Sequence, residues 1–265
     1  MSPWLELCRD AVADIGEVLR GLPTRVEREP VVRAGVGGDD TTALDEAAEV
    51  AVVRRLEALE GDFTLVSEEL GERTFGAGGP RIVLDPVDGS LNAKRGIPFF
   101  SLSLAVADGD TMGDVEFGYV YDFGTSEEWT ATRGGGAFLN GEPLGATRPK
   151  DEIEILSFEA TTTAEVSERA AAVVGAAHRL RIMGSLALSL CHLAAGRVDG
   201  VCSLKPARSV DIAAGQLLVR ECGLAIDLFE DPPFLEAPLD LLGRSRVVAA
   251  GTDELCGKLA AALSG

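Results

Sequence analysis

Residues 81–90 read Arg-Ile-Val-Leu-Asp-Pro-Val-Asp-Gly-Ser, and this stretch combines a fold signal with a candidate metal site. The apolar, β-branched run before Asp85 ends at a turn signal and predicts a short buried strand. Pro86 fixes φ, and Gly89 permits a sharp turn or a close approach of the backbone to a ligand. Asp85 and Asp88 repel each other unless a cation lies between them, and carboxylate oxygens suit Mg²⁺ or Mn²⁺. An Asp-Pro turn with a solvated second acid is the alternative interpretation.

Two further acids stand at the ends of predicted elements. Glu68 follows the strand-like run 63–67, and Asp211 lies near the start of a helical segment, where the helix dipole favours an acid. Because open α/β sheets place their sites at strand ends, these two acids could converge with Asp85 and Asp88. Taken singly, Glu68 is typical of a surface acid and Asp211 of a helix N-cap.

Seven blocks of sequence carry a resemblance to a known family, and they follow the family's order over about residues 35–225. The chain resembles the Mg²⁺-dependent inositol monophosphatase and fructose-1,6-bisphosphatase superfamily, and it is most similar to the archaeal-type branch that acts on both substrates. The resemblance implies the layered α/β/α/β/α sandwich of sugar phosphatases, whereas periodicity alone predicts only a mixed α/β (α+β) chain. The blocks are residues 65–71, 84–92, 96–100, 136–141, 181–185, 210–214 and 220–223.

The resemblance also implies a set of metal ligands. Glu68, Asp85 and the backbone carbonyl of Val87 would hold one ion. Asp85, Asp88 and Asp211 would hold a second, so that Asp85 bridges the pair. The expected cofactor is Mg²⁺, as two or three ions, and Mn²⁺ is an alternative. Paired ions suit the hydrolysis of a phosphate monoester, because one ion activates water and the other stabilises the leaving oxygen.

The attacking water needs a proton acceptor, and the resemblance assigns the catalytic residues to Asp45, Glu68 and Ser90. In the family, a Thr hydroxyl bonded to a distant Asp orients this water together with the metal-binding Glu. Ser90 keeps the hydroxyl and loses a methyl group. Without its motif context, Asp45 is typical of an exposed helix acid.

The expected substrate site is built from turns and cations. Backbone N–H groups of Gly89 and Ser90 follow a turn and are able to bind phosphate. Lys205 precedes Asp211 in a chain with only four lysines, although a solvated loop lysine is an equally good interpretation. The full expected substrate set is Asp88, Gly89, Ser90, Arg181, Gly184, Ser185, Leu186, Lys205 and Arg208.

The charge balance excludes one class of partner. At a net charge of −19, no basic patch could offset the negative field that repels nucleic acid. The basic residues divide into 4 lysines and 20 arginines. A halophilic, high-salt cytoplasm explains this composition, because a Debye length of about 3 Å at 1 M salt screens the self-repulsion. A GC-rich genome combined with ordinary acidity is the alternative.

Composition and cysteine usage predict a cytoplasmic protein. The chain has no apolar run of about 18 residues that would span a membrane, and its first ten residues show no apolar signal core. Its five cysteines are scattered and odd in number, which is typical of reduced, buried thiols. A homodimer is expected only by analogy with the family.

The pattern of elements changes near residues 149–152, which predicts two subdomains. Residues 1–150 would form an α+β unit that carries the metal site on a largely antiparallel sheet. Residues 151–265 would form an α/β unit that completes the metal and substrate site. The predicted helices cover residues 5–22, 43–59, 164–177, 185–195, 209–222 and 253–263, and the predicted strands 63–67, 81–84, 100–107, 115–121, 127–132, 153–158, 179–183, 198–203 and 245–250.

Three functions remain open at this point. The leading hypothesis is a Mg²⁺-dependent phosphatase that acts on fructose 1,6-bisphosphate, inositol 1-phosphate or both. A second enzyme hypothesis keeps the metal site and changes the substrate to a 3′-phosphoadenosine-type bisphosphate nucleotide. Aromatic residues make up only 5% of the chain, which disfavours adenine stacking. A catalytically silent regulator on the same fold would predict a broken set of metal ligands, and the set is complete.

Overall fold

The computed structural model describes residues 3–35, 40–146, 150–159 and 162–264. The first part of the described chain contains α1 (Pro3–Gly21), α2 (Arg25–Arg28), β1 (Val31–Ala34), β2 (Asp40–Thr42), α3 (Ala43–Glu57), β3 (Phe63–Ser67), β4 (Gly71–Phe75), β5 (Arg81–Asp88), α4 (Ser90–Arg95), β6 (Ser101–Ala107), β7 (Val115–Asp122), β8 (Glu127–Thr132), β9 (Gly136–Leu139) and β10 (Glu142–Pro143). The second part contains β11 (Ile153–Glu159), α5 (Thr163–Arg169), β12 (Ala177–Arg181), α6 (Leu186–Ala194), β13 (Gly200–Ser203), α7 (Ser209–Glu221), β14 (Ala225–Leu228), β15 (Val247–Ala250) and α8 (Asp253–Leu263).

The larger sheet has eight strands in the order β10-β9-β8-β7-β6-β5-β3-β4. Strands β3 and β5 run parallel, and the other neighbouring pairs run antiparallel. On β5, Ile82 and Leu84 pack in the cluster that contains α1 and α3, whereas Val83 packs in the cluster that contains α6 and α7. This alternation is the two-residue period of a strand, and it buries both faces of the sheet.

The smaller sheet has five strands in the order β12-β11-β13-β15-β14. On β13, Val201 packs with α6 and α7, whereas Cys202 packs with α8 on the opposite face. Helices α6 and α7 therefore form the middle layer between the two sheets. The layered α/β/α/β/α sandwich and the mixed α/β class are confirmed.

The pattern of elements agrees with most of the sequence prediction. Strands β3 and β8 have the predicted bounds, and the large sheet is mainly antiparallel. The predicted helix 164–177 is wrong beyond Arg169, where the chain forms a 3₁₀ turn over residues 170–173 and then enters β12. Gly175, with a φ of 85°, lies in the turn between the 3₁₀ segment and β12. The prediction missed β1, β2, β4, β9, β10, β14, α2 and α4.

Two predicted features fall partly on residues outside the described ranges. The sequence Gly-Val-Gly-Gly-Asp-Asp over residues 35–40 predicts a glycine-acid loop; residues 36–39 lie outside the described ranges, and Asp40 begins β2. The predicted boundary at 149–152 includes residue 149, which also lies outside. The division at residue 150 stays a prediction. Among the described helices, none combines the length and the hydrophobicity that a membrane span requires.

Helix α7 lies very close to the large sheet. A Cβ at Gly118 on β7 would lie 2.8 Å from the carbonyl oxygen of Ala214. A Cβ at Gly215 would lie 2.9 Å from the Cβ of Leu190 on α6. Glycine at both positions therefore allows α7 to pack between the sheet and α6, and this packing fixes the position of the acid in its first turn.

We expect Gly118→Ala to lower the free energy of unfolding by about 1–3 kcal/mol, because the added methyl group forces α7 away from β7. The matched control is Gly257→Ala in α8, where an added Cβ meets no atom within 4 Å. That change should be neutral or stabilise the protein by up to about 1 kcal/mol. Urea denaturation measures both values. Equal stability of the two variants would contradict the packing argument.

Candidate metal centre and active-site cleft

Three acidic side chains from distant parts of the chain meet at one point. Glu68, Asp85 and Asp211 each offer a carboxylate oxygen, and these atoms all lie within 4.8 Å of one another. We call this group the carboxylate cage. Asp85 is 2% exposed, and the side chains of Glu68 and Asp211 are each 15% exposed. The burial and the short separations match the chemistry of a divalent-cation site.

Strand pairing and a helix start bring the cage together. Ser67 pairs with Leu84 across the parallel strands β3 and β5, so the next residues along each strand, Glu68 and Asp85, lie side by side. Asp211 occupies the first turn of α7, and its Oδ2 accepts a hydrogen bond of 2.8 Å from the backbone N–H of Arg208. The residue therefore stabilises the helix start as well as facing the cage.

Asp88 lies in the same cleft but its carboxylate is not part of the three-residue cage. Its Oδ2 accepts hydrogen bonds from the hydroxyl of Ser185 at 2.5 Å and from the backbone N–H of Ala187 at 2.8 Å. These donors belong to the start of α6, so Asp88 links β5 to the middle layer. The predicted ligand set thus lines one cleft, with Asp88 beside the cage.

Arg208 provides positive charge directly against the cage. Its Nη2 lies 2.5 Å from Oε1 of Glu68, and its Nε lies 3.7 Å from Oδ2 of Asp211. The residue is 8% exposed. The sequence prediction assigned Arg208 to the substrate, and that role stays a prediction. In the structure, its guanidinium is bound to two of the predicted metal ligands.

Burial and mutual repulsion make the acids hold protons more tightly. Burial, offset in part by Arg208, raises the pKa of Glu68 to about 8. Burial, together with the charge on Asp211, raises the pKa of Asp88 to about 7. Burial and the charge on Glu68 raise the pKa of Asp85 well above its usual range. A bound divalent cation would favour the ionised form of each group.

The predicted water-orienting pair lines the cleft without a direct bond between its members. The hydroxyl of Ser90 donates to the carbonyl oxygen of Val87 at 2.9 Å. Oδ2 of Asp45 accepts from the hydroxyl of Thr42 at 2.6 Å and from the backbone N–H of Thr42 at 3.0 Å. Oδ1 of Asp45 is buried and has no hydrogen-bond partner in the described part of the chain. The catalytic roles of these residues stay predictions.

A cleft of about 470 Å³ opens in front of the cage and receives most of the predicted substrate residues. Ser185 reaches the cage region through its bond to Asp88. Arg181 is exposed, bonds to the carbonyl oxygen of Leu180 and does not line the cleft. The predicted substrate residues that line the cleft are Asp88, Gly89, Ser90, Gly184, Leu186, Lys205 and Arg208.

The turn at Gly89 requires glycine. Gly89 has a φ of 93°, and a Cβ there would lie 3.1 Å from the carbonyl oxygens of both Gly184 and Phe99. Asn92 holds the same junction with hydrogen bonds of 2.7 Å to the carbonyl of Met183 and 2.8 Å to that of Phe99. The turn after β5 is thereby fixed against the loop that precedes α6.

Sequence reasoning missed several residues that line the cleft. Glu159 ends β11, and its carboxylate accepts from the hydroxyl of Ser189 at 2.8 Å and from the N–H of Gly184 at 2.8 Å. Glu69 is bonded by the hydroxyl of Thr41, and burial raises its pKa. Glu69 stands next to Glu68 and could have been suspected from that position. The other missed cleft residues with ionisable side chains are Asp40 and Arg244.

The layered fold and the buried carboxylate cage define a metal-dependent hydrolase. A family model described as the inositol monophosphatase family matches residues 1–264, so the chain belongs to that family and is a phosphatase. The family is metal-dependent, which agrees with the cage.

Individual proteins are also similar to this chain over most of its length. The chain is 32% identical over 253 residues to a fructose-1,6-bisphosphatase/inositol-1-monophosphatase of Thermococcus kodakarensis, covering 95% of this chain and 94% of the relative. It is 33% identical over 230 residues to the Nus factor SuhB of Pasteurella multocida, covering 84% of each. A crystal structure described as an inositol monophosphatase-fructose 1,6 bisphosphatase matches with a TM-score of 0.86 and 26% identity, covering 99% of this chain and all of the other.

We expect Mg²⁺ to raise the melting temperature more near pH 9 than near pH 6. The pKa values of Glu68 and Asp88, about 8 and about 7, exceed the usual value of about 4. The folded metal-free protein therefore binds more protons than the unfolded chain, and the free energy of unfolding falls as the pH rises from about 4 to about 8. Deprotonation exposes the charges that bind the cation. Thermal melts with EDTA and with Mg²⁺ measure the difference, and an equal shift at both pH values would contradict it.

Proposed function

We propose that the protein is a Mg²⁺-dependent phosphomonoester hydrolase that releases phosphate from fructose 1,6-bisphosphate, inositol 1-phosphate or both. The observation that carries the proposal is the carboxylate cage, with three acid oxygens within 4.8 Å, at the base of a cleft of about 470 Å³. A cleft of this volume suits a small metabolite. The name of the Thermococcus kodakarensis relative supports both substrates.

The donor set of the cleft fits divalent cations that prefer oxygen. Glu68, Asp85 and the carbonyl oxygen of Val87 would hold one ion, and Asp85, Asp88 and Asp211 would hold another. All of these donors are oxygens, which favours Mg²⁺ or Mn²⁺ over metals that prefer sulfur or imidazole. Two or three bound ions would supply positive charge for the phosphoryl group and Lewis acidity that lowers the pKa of a water molecule.

The chain's own residues would position the reactants. The hydroxyl of Ser90 and the carboxylates of Asp45 and Glu68 would orient the attacking water, and one of the two carboxylates would accept its proton. Oδ1 of Asp45 has no hydrogen-bond partner in the described ranges, so it is available to accept a hydrogen bond from a reactant. The backbone N–H groups of Gly89 and Ser90 would bind the phosphate, since the Gly89 turn lines the cleft.

The alternative functions receive less support. The described residues that line the cleft include no aromatic side chain, so nothing there offers a stacking surface for the adenine of a bisphosphate nucleotide. A silent regulator does not require a complete set of buried acids, and burying them is costly. The Pasteurella multocida relative is described as a Nus factor, but no feature of this cleft favours that role.

A cytoplasmic location and a homodimeric state belong to the same proposal. All five cysteines are free, and four of them are buried, which is consistent with a reducing compartment. The homodimer rests on analogy with the family.

We expect Asp85→Asn to reduce kcat by on the order of 100-fold or more, because the bridging carboxylate would serve both ions. The matched control is Asp151→Asn, an exposed acid outside the cleft, which should keep the wild-type rate. Phosphate release from fructose 1,6-bisphosphate and inositol 1-phosphate in Mg²⁺ is the measurement. EDTA should abolish release by the wild type, and activity that survives complete metal removal would refute the proposed function.

A further inference from the structure

The four lysines of the chain fall into two groups. Lys150 and Lys258 lie outside the cleft, and each forms an ion pair four residues along the chain, with Glu154 at 2.9 Å and Glu254 at 2.7 Å. The other two, Lys94 and Lys205, both line the active-site cleft. In a chain that uses arginine for nearly all its basic residues, half of the lysines therefore face the place where substrate would bind.

The position of Lys94 follows from α4. This helix begins at Ser90, beside the cage, and Lys94 lies four residues further on, about 6 Å along the helix axis. Leu91 also lines the cleft, and residues three apart lie on the same face of a helix. Lys94 is half-buried on this face. Lys94 therefore lines the cleft about one helical turn from Ser90.

Lys94 forms no ion pair with an acid in the described ranges. No carboxylate there lies within ion-pair distance of its ammonium group. Glu29 feels its charge, but the pKa of Glu29 is lowered chiefly by Arg25, with Arg95 and Lys94 contributing less. The carboxylate of Glu29 lies 2.6 Å from Arg25 and 3.6 Å from Arg95. The charge of Lys94 is therefore available to an anion in the cleft.

The balance of charge in the cleft determines which cations can bind a substrate phosphate. Among the described residues, eight carboxylate residues and four cationic residues line it, which leaves an excess of four formal negative charges. Two divalent ions would offset that excess and would bind the phosphate that is hydrolysed. A second phosphate on the same substrate carries about two further negative charges. It would need cations of its own at a distance from the cage, because the ions and Arg208 are held by the acids.

We infer that Lys94 determines specificity by binding the second, unreacting phosphate of a sugar bisphosphate, opposite the phosphate at the carboxylate cage. This inference rests on the proposed function and assigns its substrate class. Lys205 lines the same cleft and contributes to the same anion site. A monophosphate has no group to reach Lys94, so its hydrolysis does not use this contact.

Steady-state kinetics of Lys94→Gln test the inference. The ratio of kcat/KM for fructose 1,6-bisphosphate to kcat/KM for inositol 1-phosphate should fall at least tenfold, mainly through KM for the bisphosphate. Lys94→Arg should recover most of the ratio, because it restores the charge. The matched control Lys258→Gln removes the same charge from α8 and should leave the ratio unchanged. A ratio within twofold of wild type in Lys94→Gln, or an equal loss on both substrates, would overturn the inference.

Failure of the proposed function would look different. In that case the wild type would release phosphate from neither substrate, whatever residue stands at position 94. Isothermal titration calorimetry with fructose 1,6-bisphosphate in Mg²⁺ then decides the inference without turnover. A Kd at least tenfold weaker for Lys94→Gln than for the wild type and Lys258→Gln would support it. Equal Kd values for the three proteins, or no detectable binding by any of them, would overturn it.

Discussion

Mutual repulsion of buried carboxylates is the constraint on which the site depends. Oxygens of Glu68, Asp85 and Asp211 lie within 4.8 Å of one another, with Asp88 beside them. At an effective dielectric constant of about 20, each ionised pair costs roughly 3–4 kcal/mol. Protonation, Arg208 and divalent cations are the three ways to remove this cost. The raised pKa values favour the first, the contact between Arg208 and Glu68 is the second, and the metal dependence of the family agrees with the third.

The fold maintains this arrangement because each acid is attached to a rigid, buried element. The parallel pairing of β3 and β5 fixes Glu68 next to Asp85, and α7 carries Asp211 between the two sheets. Gly118 and Gly215 permit the close packing of that helix. The cost of gathering the acids is therefore met by two large apolar layers rather than by contacts within the site. A stable layered core is what allows an electrostatically unfavourable site to persist.

The sequence predicted the parts of the site that depend on local pattern. The strand-turn pattern at 81–90 and the strand end before Glu68 predict that acids lie at the C-terminal ends of strands, and both predictions need only the local sequence. The contact between Arg208 and Glu68 was not predictable in this way, because it joins residues 140 positions apart through the detailed packing of α7. Glu159 likewise carries no motif, and only the folded chain brings it to the cleft. The helix predicted to 177 failed because the chain leaves the α-helix at Arg169 and forms a 3₁₀ turn over residues 170–173, a change that the alanine-rich pattern does not signal.

The most direct test of the account is the position of a bound ion. Crystals grown with Mn²⁺ should give an anomalous-scattering peak in contact with carboxylate oxygens of Glu68, Asp85 and Asp211, with the guanidinium of Arg208 withdrawn from Glu68. Such a peak would establish that the cage exists to hold a cation. Full Mn²⁺ occupancy elsewhere, with Arg208 still bound to Glu68, would contradict the central claim.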